Sequence, residues 1–162
     1  MLLMLFGCDS SSSWTSVKEM VRRDFPEVEH VSVDELSRRL ESDTVPVLLD
    51  VREVAEYDVS HLPGAIRVQP GSDASELLET LEPDTPIVAY CSVGYRSSEL
   101  VQKLAERGFT DVRNLEGSIF EWANAGFPVE RDGETVREVH PFDDSWGVLL
   151  DEELRAYEPR AK

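Results

Sequence analysis

Cys91, Gly94 and Arg96 lie within six consecutive residues, Cys-Ser-Val-Gly-Tyr-Arg, and have the clearest chemical potential in the sequence. A cysteine thiolate is a strong nucleophile, and a helix N-terminus or a nearby cation increases the thiolate fraction by lowering the pKa of the thiol. Gly94 allows backbone conformations closed to other residues, and Arg96 carries a permanent planar charge suited to an oxyanion. The spacing therefore predicts a nucleophilic Cys91 in an anion-binding loop; the alternative is a small buried residue that ends a strand.

The elements on both sides of this loop indicate how it is positioned. The unbroken apolar run 87–90 precedes Cys91 and is typical of a strand buried on both faces. Residues 97–107 have the apolar periodicity of an amphipathic helix, and Gly108 is a suitable C-terminal residue. A loop between a strand and a helix N-terminus can turn the amides of residues 92–96 inward around an anion.

The rest of the chain alternates between short apolar runs and helical patterns. Strands are predicted at 47–51, 66–68 and 112–115, and helices at 16–23, 33–42, 75–81 and 118–125. This alternation predicts an α/β fold with a mainly parallel sheet. Residues 131–162 are predicted to be an acidic C-terminal extension, whose apolar cluster 146–150 could dock on the domain.

The N-terminal segment 1–15 combines an apolar run with a serine-rich tether. Its Leu5-Phe6-Gly7-Cys8 sequence resembles the lipobox of bacterial lipoproteins, in which the cysteine is lipidated. The apolar run is shorter than an ordinary secretory core, and no Lys or Arg precedes it. The alternative is an apolar tail on a cytoplasmic protein, so cytoplasmic location and membrane anchoring through Cys8 both stay open.

The charge balance excludes some partner classes. Sixteen basic and 33 acidic residues give a net charge of −17, which opposes binding to nucleic acid or anionic lipid. Only three of the basic residues are Lys, and such an acidic surface suits a salt-rich environment, in which self-repulsion is screened. The three His residues have no metal-ligand spacing with Cys8 or Cys91, so we expect no zinc site.

Four ordered blocks resemble the rhodanese family of sulfurtransferases. They are Asp50-Val51-Arg52, residues 61–65, the Cys91 to Arg96 segment, and a closing segment at 116–129. The resemblance covers residues 31–130, after a short helical lead-in at 16–30. It implies a single rhodanese-like domain with three layers, in which helices flank a central, mainly parallel five-stranded sheet.

The resemblance also implies an activity. The family takes a sulfane sulfur from thiosulfate or a persulfide donor, holds it as a cysteine persulfide and passes it to a thiophilic acceptor. Cys91 would carry the sulfur, and the substrate-binding residues would be Ser92, Val93, Gly94, Tyr95 and Arg96. The implied partners are a small-molecule sulfur donor and a thiol or cyanide acceptor, with a protein acceptor also open; neither a metal nor an organic cofactor is required.

Two alternatives use the same loop. A Cys-dependent phosphatase or arsenate reductase resembles it, but such enzymes have five residues between Cys and Arg instead of the four here, and usually His where this chain has Tyr90. A non-catalytic rhodanese-like binding module is the second alternative. Ser92 occupies a position where many active family members carry Arg, which makes thiosulfate a doubtful natural donor.

Several other residues have structural interpretations. An ion pair of Arg52 with Glu56 would order the start of the following helix. His61 is expected to stabilise its turn, and Trp122 to pack in the core. Tyr95 is a candidate for acceptor selectivity only.

Overall fold

The computed structural model describes residues 10–161, with side chains from Trp14 onward. Seven α-helices are present in this part of the chain: α1 Ser10–Asp24, α2 Val33–Leu40, α3 Val54–Val59, α4 Ser75–Leu78, α5 Tyr95–Glu106, α6 Ser118–Asn124 and α7 Asp144–Gly147. The strands are β1 His30–Val31, β2 Val47–Asp50, β3 Ile66–Arg67, β4 Ile87–Tyr90, β5 Val112–Leu115, β6 Val129–Arg131 and β7 Glu134–Val136. A short 3-10 helix follows at Glu152–Leu154.

A five-stranded sheet with the strand order β1-β5-β4-β2-β3 forms the centre of the domain. Every pair in it is parallel, which confirms the predicted fold class. The central strand β4 is buried at all four positions, as its unbroken apolar run predicts. Because Asp50 pairs in register with Tyr90, β2 and β4 end together, and Cys91 lies at the carboxyl edge of the sheet, where open parallel sheets bind their ligands.

Two hydrophobic clusters cover the two faces of this sheet. Val88 and Tyr90 point into one cluster with α2 and α6, whereas Ile87 and Ala89 point into the other with α5. Successive residues of a strand face opposite sides of a sheet, so this division confirms the predicted three-layer arrangement.

A buried ion pair fixes the end of β2. Arg52 donates to both carboxylate oxygens of Asp50, at 2.9 and 2.6 Å, and to the carbonyl of Ser60 at 2.7 Å. The Tyr90 hydroxyl donates to the same carboxylate at 2.6 Å. The expected pairing of Arg52 with Glu56 is therefore wrong, because Asp50 lies beside Arg52 inside the domain while Glu56 faces the Cys91 loop.

All five predicted helices differ from the observed bounds by at least one residue, most of all α1, α4 and α5. The helix α1 begins at Ser10 and includes the serine run, which composition alone predicts to be a flexible tether. The helix α5 begins at Tyr95, two residues earlier than predicted, because Gly94 forms its N-cap. The helix α4 ends at Leu78 instead of Leu81, and the two-residue strand β1 is too short to produce a sequence pattern.

The C-terminal extension packs on the domain instead of standing apart from it. Strands β6 and β7 form an antiparallel hairpin. Val139, Leu149, Leu150 and Leu154 are buried in the same cluster as Trp122, so the expected docking of the 146–150 cluster is confirmed. The Asn124 side chain bonds the Leu149 carbonyl at 2.8 Å and the Asp151 amide at 2.9 Å, which fixes the extension to α6.

The N-terminal lipobox-like segment with Cys8 lies outside the described residues. Cys91 is a free, buried thiol. None of the helices within residues 10–161 is long and apolar enough to cross a membrane. The same residues contain no group of three His, Cys, Asp or Glu side chains arranged to hold a metal ion.

Candidate active site

The loop from Cys91 to Arg96 connects the central strand to the N-terminus of α5. Gly94 adopts a φ of +108°, a left-handed conformation that disfavours side chains. A Cβ at Gly94 would lie 3.2 Å from Asn114 Nδ2, so the space is restricted as well. Glycine at this position therefore lets the chain turn directly from the strand into the helix.

The thiol of Cys91 accepts hydrogen bonds from the loop and the helix. The Gly94 amide donates to Sγ at 3.2 Å, and the Ser97 hydroxyl lies 3.5 Å from it. Burial of the thiol favours its neutral form, but the charge of Arg96 and the hydrogen bonds from Ser97 and Gly94 outweigh burial and lower the pKa of Cys91. The site thus increases the fraction of Cys91 present as thiolate.

The carbonyls of the loop are bonded to α6. The Ile119 amide donates to the Cys91 carbonyl and the Phe120 amide to the Ser92 carbonyl, both at 3.2 Å. A trans peptide directs its N–H opposite to its C=O, so the amides that follow these two carbonyls point away from α6. No acceptor within the described part of the chain is bonded to the backbone amides of Ser92, Val93, Tyr95 or Arg96. These amides are available to an anion bound in the loop.

Arg96 is held by a buried carboxylate. Its Nη1 and Nη2 donate to the two oxygens of Glu56, each at 2.9 Å, and Nη2 also donates to Ser92 Oγ at 2.9 Å. The Ser92 hydroxyl in turn donates to Glu56 at 2.9 Å. Burial alone would raise the pKa of Glu56, but the hydrogen bonds and charge of Arg96 lower it, so the pair is ionic.

A chain of polar side chains leads from the thiol to the edge of the sheet. The Ser97 hydroxyl lies 2.6 Å from Asn114 Oδ1, and Asn114 Nδ2 lies 3.1 Å from His30 Nδ1. Ser97 has one hydroxyl hydrogen, so it cannot donate to Asn114 and to the sulfur at the same time. Ionisation of Cys91 therefore competes with Asn114 for that hydrogen.

A cavity of about 350 Å³ opens in front of the loop. Its walls come from the loop, from α1 and from the C-terminal extension. The lining residues are Met20, Asp24, Cys91, Ser92, Val93, Tyr95, Arg96, Phe142 and Trp146. The Tyr95 ring packs edge-on against Phe25, and its hydroxyl donates to Asp24 at 3.3 Å. The Phe142 ring covers the guanidinium of Arg96 at 4.8 Å.

The structure brings the predicted site residues together. All residues from Cys91 to Arg96 except Gly94 line the cavity, and Gly94 bonds the sulfur through its amide. The contact of Glu56 with Arg96 was not predicted from the sequence. Neither were the positions of Met20, Asp24, Phe142 and Trp146 at the cavity; among these, only Trp146 had a sequence signal, as part of the apolar cluster 146–150.

His61 and Trp122 lie outside this cavity. The His61 ring stacks on Tyr57 at 4.0 Å, and its Nδ1 lies 3.1 Å from the Leu62 carbonyl. Trp122 is buried and donates to the Pro128 carbonyl at 2.8 Å. Both residues stabilise local structure, as expected.

Comparison with known proteins gives relatives that are named sulfurtransferases, among others. YtwF of Bacillus subtilis, named as a candidate sulfurtransferase, is 35% identical over 96 residues, which cover 59% of this chain and 91% of YtwF. The protein named sulfurtransferase of Allochromatium vinosum is 34% identical over 103 residues, which cover 63% of this chain and 94% of that protein.

Solved structures of rhodanese-like domains also match this chain. The solution structure of the rhodanese-like domain of the Anabaena protein Alr3790 matches with a TM-score of 0.58 and 27% identity. That match covers 64% of this chain and 80% of the Anabaena domain. Residues 32–125 also match the family described as the rhodanese-like domain. Because this match spans more than half of the sequence, the chain belongs to the rhodanese-like domain family.

Proposed function

We propose that this protein is a sulfurtransferase that moves a sulfane sulfur through a persulfide on Cys91. The observation that carries the proposal is the donor set around the sulfur, in which the Gly94 amide lies 3.2 Å from Sγ and Arg96 lowers the thiol's pKa. The names of the relatives YtwF and the Allochromatium vinosum sulfurtransferase support the same reaction class.

The reaction has two displacement steps at sulfur. The Cys91 thiolate attacks the outer sulfur of a donor X–S⁻, the bond between that sulfur and X breaks, and X leaves with the electron pair. Cys91 then carries the persulfide –S–S⁻. A thiolate or cyanide attacks the outer sulfur, the S–S bond breaks, and the electron pair returns to Cys91. Each step conserves atoms and charge, and no redox partner is needed.

The loop residues have distinct roles in these steps. The amide of Gly94 and the free amides of residues 92, 93, 95 and 96 stabilise negative charge on the thiolate and on the added sulfur. Arg96 supplies the positive charge that lowers the pKa of the thiol, and Glu56 and Ser92 hold its guanidinium in place. The substrates would be a small-molecule sulfur donor and a thiol or cyanide acceptor, with a protein acceptor as a further option.

Intact-protein mass spectrometry tests this proposal. Incubation with an excess of a sulfane donor should add the mass of one sulfur atom to the protein, and peptide mapping should locate it on Cys91. Cyanide should then remove the added sulfur and release thiocyanate.

Cys91→Ser is the matched control, since it keeps a hydroxyl where the thiol stood, and it should gain no sulfur. An adduct that persists in this variant would contradict the mechanism. Phosphate release from an aryl phosphate that depends on Cys91 would favour a phosphatase instead.

A further inference from the structure

Two segments outside the matched domain form the mouth of the Cys91 cavity. The matched domain covers residues 32–125, whereas Met20 and Asp24 belong to α1, and Phe142 and Trp146 belong to the C-terminal extension. Three of these four side chains are apolar. The mouth of the cavity is therefore chemically different from the loop of amides at its base.

Phe142 is held over the loop by its backbone and not by core packing. It has a φ of +68°, which is rare for a bulky side chain, and its amide donates to His140 Nδ1 at 3.0 Å. The Phe142 residue remains 41% exposed, although its ring covers the guanidinium of Arg96. A strained backbone that presents an exposed aromatic ring to a reactive site is typical of a functional contact.

Trp146 is held in place by the N-cap of α7 and by packing against the core. Its amide donates to Asp143 Oδ1 at 2.9 Å, which caps α7, and its side chain packs against the hydrophobic cluster that includes Leu149 and Leu150. The aromatic mouth is thus preorganised by the extension, and a ligand would not have to order it.

The charges at the cavity disfavour a small dianion. Arg96 is the one cationic side chain among the lining residues, and Glu56 already neutralises it. Asp24 adds a carboxylate at the rim, paired at 2.9 Å with the exposed Arg23. The net charge of −17 adds a repulsive field over the whole protein.

The size of the cavity also disfavours a small dianion as the donor. A cavity of about 350 Å³ is in the range that encloses small organic molecules, which is much more than a thiosulfate ion requires. On the basis of the proposed function, we infer that the sulfur donor is an organic sulfane compound whose sulfur is attached to an apolar, preferably aromatic group. Phe142 and Trp146 contact that group and determine the specificity for the donor.

Three donors of one reaction type test this inference: benzenethiosulfonate, methanethiosulfonate and thiosulfate. Each gives its outer sulfur to the Cys91 thiolate and leaves as benzenesulfinate, methanesulfinate or sulfite, so the chemistry is matched while the attached group changes. The readout is the second-order rate constant of sulfur addition, from quenched samples analysed by mass spectrometry. We expect the phenyl donor to react about tenfold faster than the methyl donor, and thiosulfate to react slowest.

Phe142→Gly removes the ring and should not destabilise the fold, since glycine adopts a φ of +68° without strain. The ratio of the benzenethiosulfonate to the thiosulfate rate constant should fall about tenfold, partly because Arg96 becomes more accessible to thiosulfate. Trp146→Leu keeps an apolar contact with the core and should also lower the ratio. Val148→Ala, at an exposed position of the same extension, should leave the ratio unchanged.

Each result decides between the two claims. Equal rate constants for the three donors, or a ratio that Phe142→Gly does not change, would overturn the specificity inference while the proposed function stands. A Cys91 that none of the donors modifies would overturn the proposed function. In that case, calorimetric binding of benzenesulfinate compared with methanesulfinate would still decide whether the mouth selects an aromatic group: tighter benzenesulfinate binding supports it, and equal binding overturns it.

Discussion

Arg96 and Glu56 form a two-point ion pair beside the Cys91 loop, with both N–O distances at 2.9 Å. The Glu56 side chain is 3% exposed and that of Arg96 25% exposed, so the pair is largely removed from solvent. This contact links α3 to the first turn of α5. The strength of this ion pair therefore determines where the guanidinium lies and how much of its positive charge acts on the thiol.

The first prediction concerns Glu56→Gln. The amide keeps the shape of the side chain but leaves the charge of Arg96 uncompensated, so the pKa of Cys91 should fall below that of the wild type. The free energy of unfolding should fall by about 2 kcal/mol because a largely buried cation loses its partner. The measurements are the pH dependence of iodoacetamide alkylation at Cys91 and urea denaturation.

Glu99→Gln is a suitable control for Glu56→Gln, since Glu99 lies exposed on α5 and pairs with Lys103 at 3.0 Å. It removes the same charge and should change neither quantity appreciably. A higher pKa of Cys91 in Glu56→Gln would contradict this prediction. It would show that Glu56 increases the positive potential at the thiol, because it positions Arg96.

Ser97→Ala is the second prediction. The variant removes a hydroxyl 3.5 Å from Sγ, so the pKa of Cys91 should rise and alkylation at neutral pH should slow. Ser98→Ala is the matched control, because the neighbouring buried hydroxyl donates to the Gly94 carbonyl at 2.7 Å and not to the sulfur. Equal effects of the two substitutions on the alkylation profile would mean that Ser97 acts only through loop packing.

The position of the loop could be predicted from the sequence, but the identity of its partners could not. The apolar run 87–90 and the periodicity of 97–107 locate Cys91 between a strand and a helix, since both patterns depend on local sequence alone. The contact of Glu56 with Arg96 spans 40 residues, and it depends on how α3 lies against α5. The backbone strain at Phe142 likewise has no sequence signal.

The difference between local pattern and chain packing also explains why the predicted ion pair of Arg52 with Glu56 is wrong. The two residues lie four positions apart, a spacing that brings charged side chains together on a helix surface. However, Arg52 lies in the bend between β2 and α3, where Asp50 is the carboxylate it contacts. The rule for helical spacing does not apply where the chain is not helical.

Asp50→Asn is the third prediction. Both side chains of the Asp50–Arg52 pair are fully buried, so the substitution leaves a charged guanidinium without a counter-ion inside the domain. The free energy of unfolding should fall by about 3–5 kcal/mol in urea denaturation. Asp58→Asn, on the exposed face of α3, should change it by less than about 0.5 kcal/mol, and similar effects of the two would contradict the assigned role.

The fourth prediction concerns salt. A net charge of −17 on 162 residues causes self-repulsion that screening reduces, so the Tm should rise as potassium chloride increases toward molar concentration. Potassium chloride is preferred to sulfate because sulfate also strengthens hydrophobic burial. A Tm that is independent of potassium chloride, with the folding transition still cooperative, would show that the acidic surface does not limit stability.

The fifth prediction is the pH dependence of stability caused by Cys91. Its pKa is lowered from the usual value of 9.0, so between the folded pKa and about pH 9 the unfolded state binds more protons. The free energy of unfolding of the wild type relative to Cys91→Ser should therefore rise with pH across this window and level off above it. Below the folded pKa this contribution is lost. The other titrating groups are common to both proteins and cancel in the difference. A difference that falls as pH rises would mean that burial dominates and that Cys91 rests as a thiol.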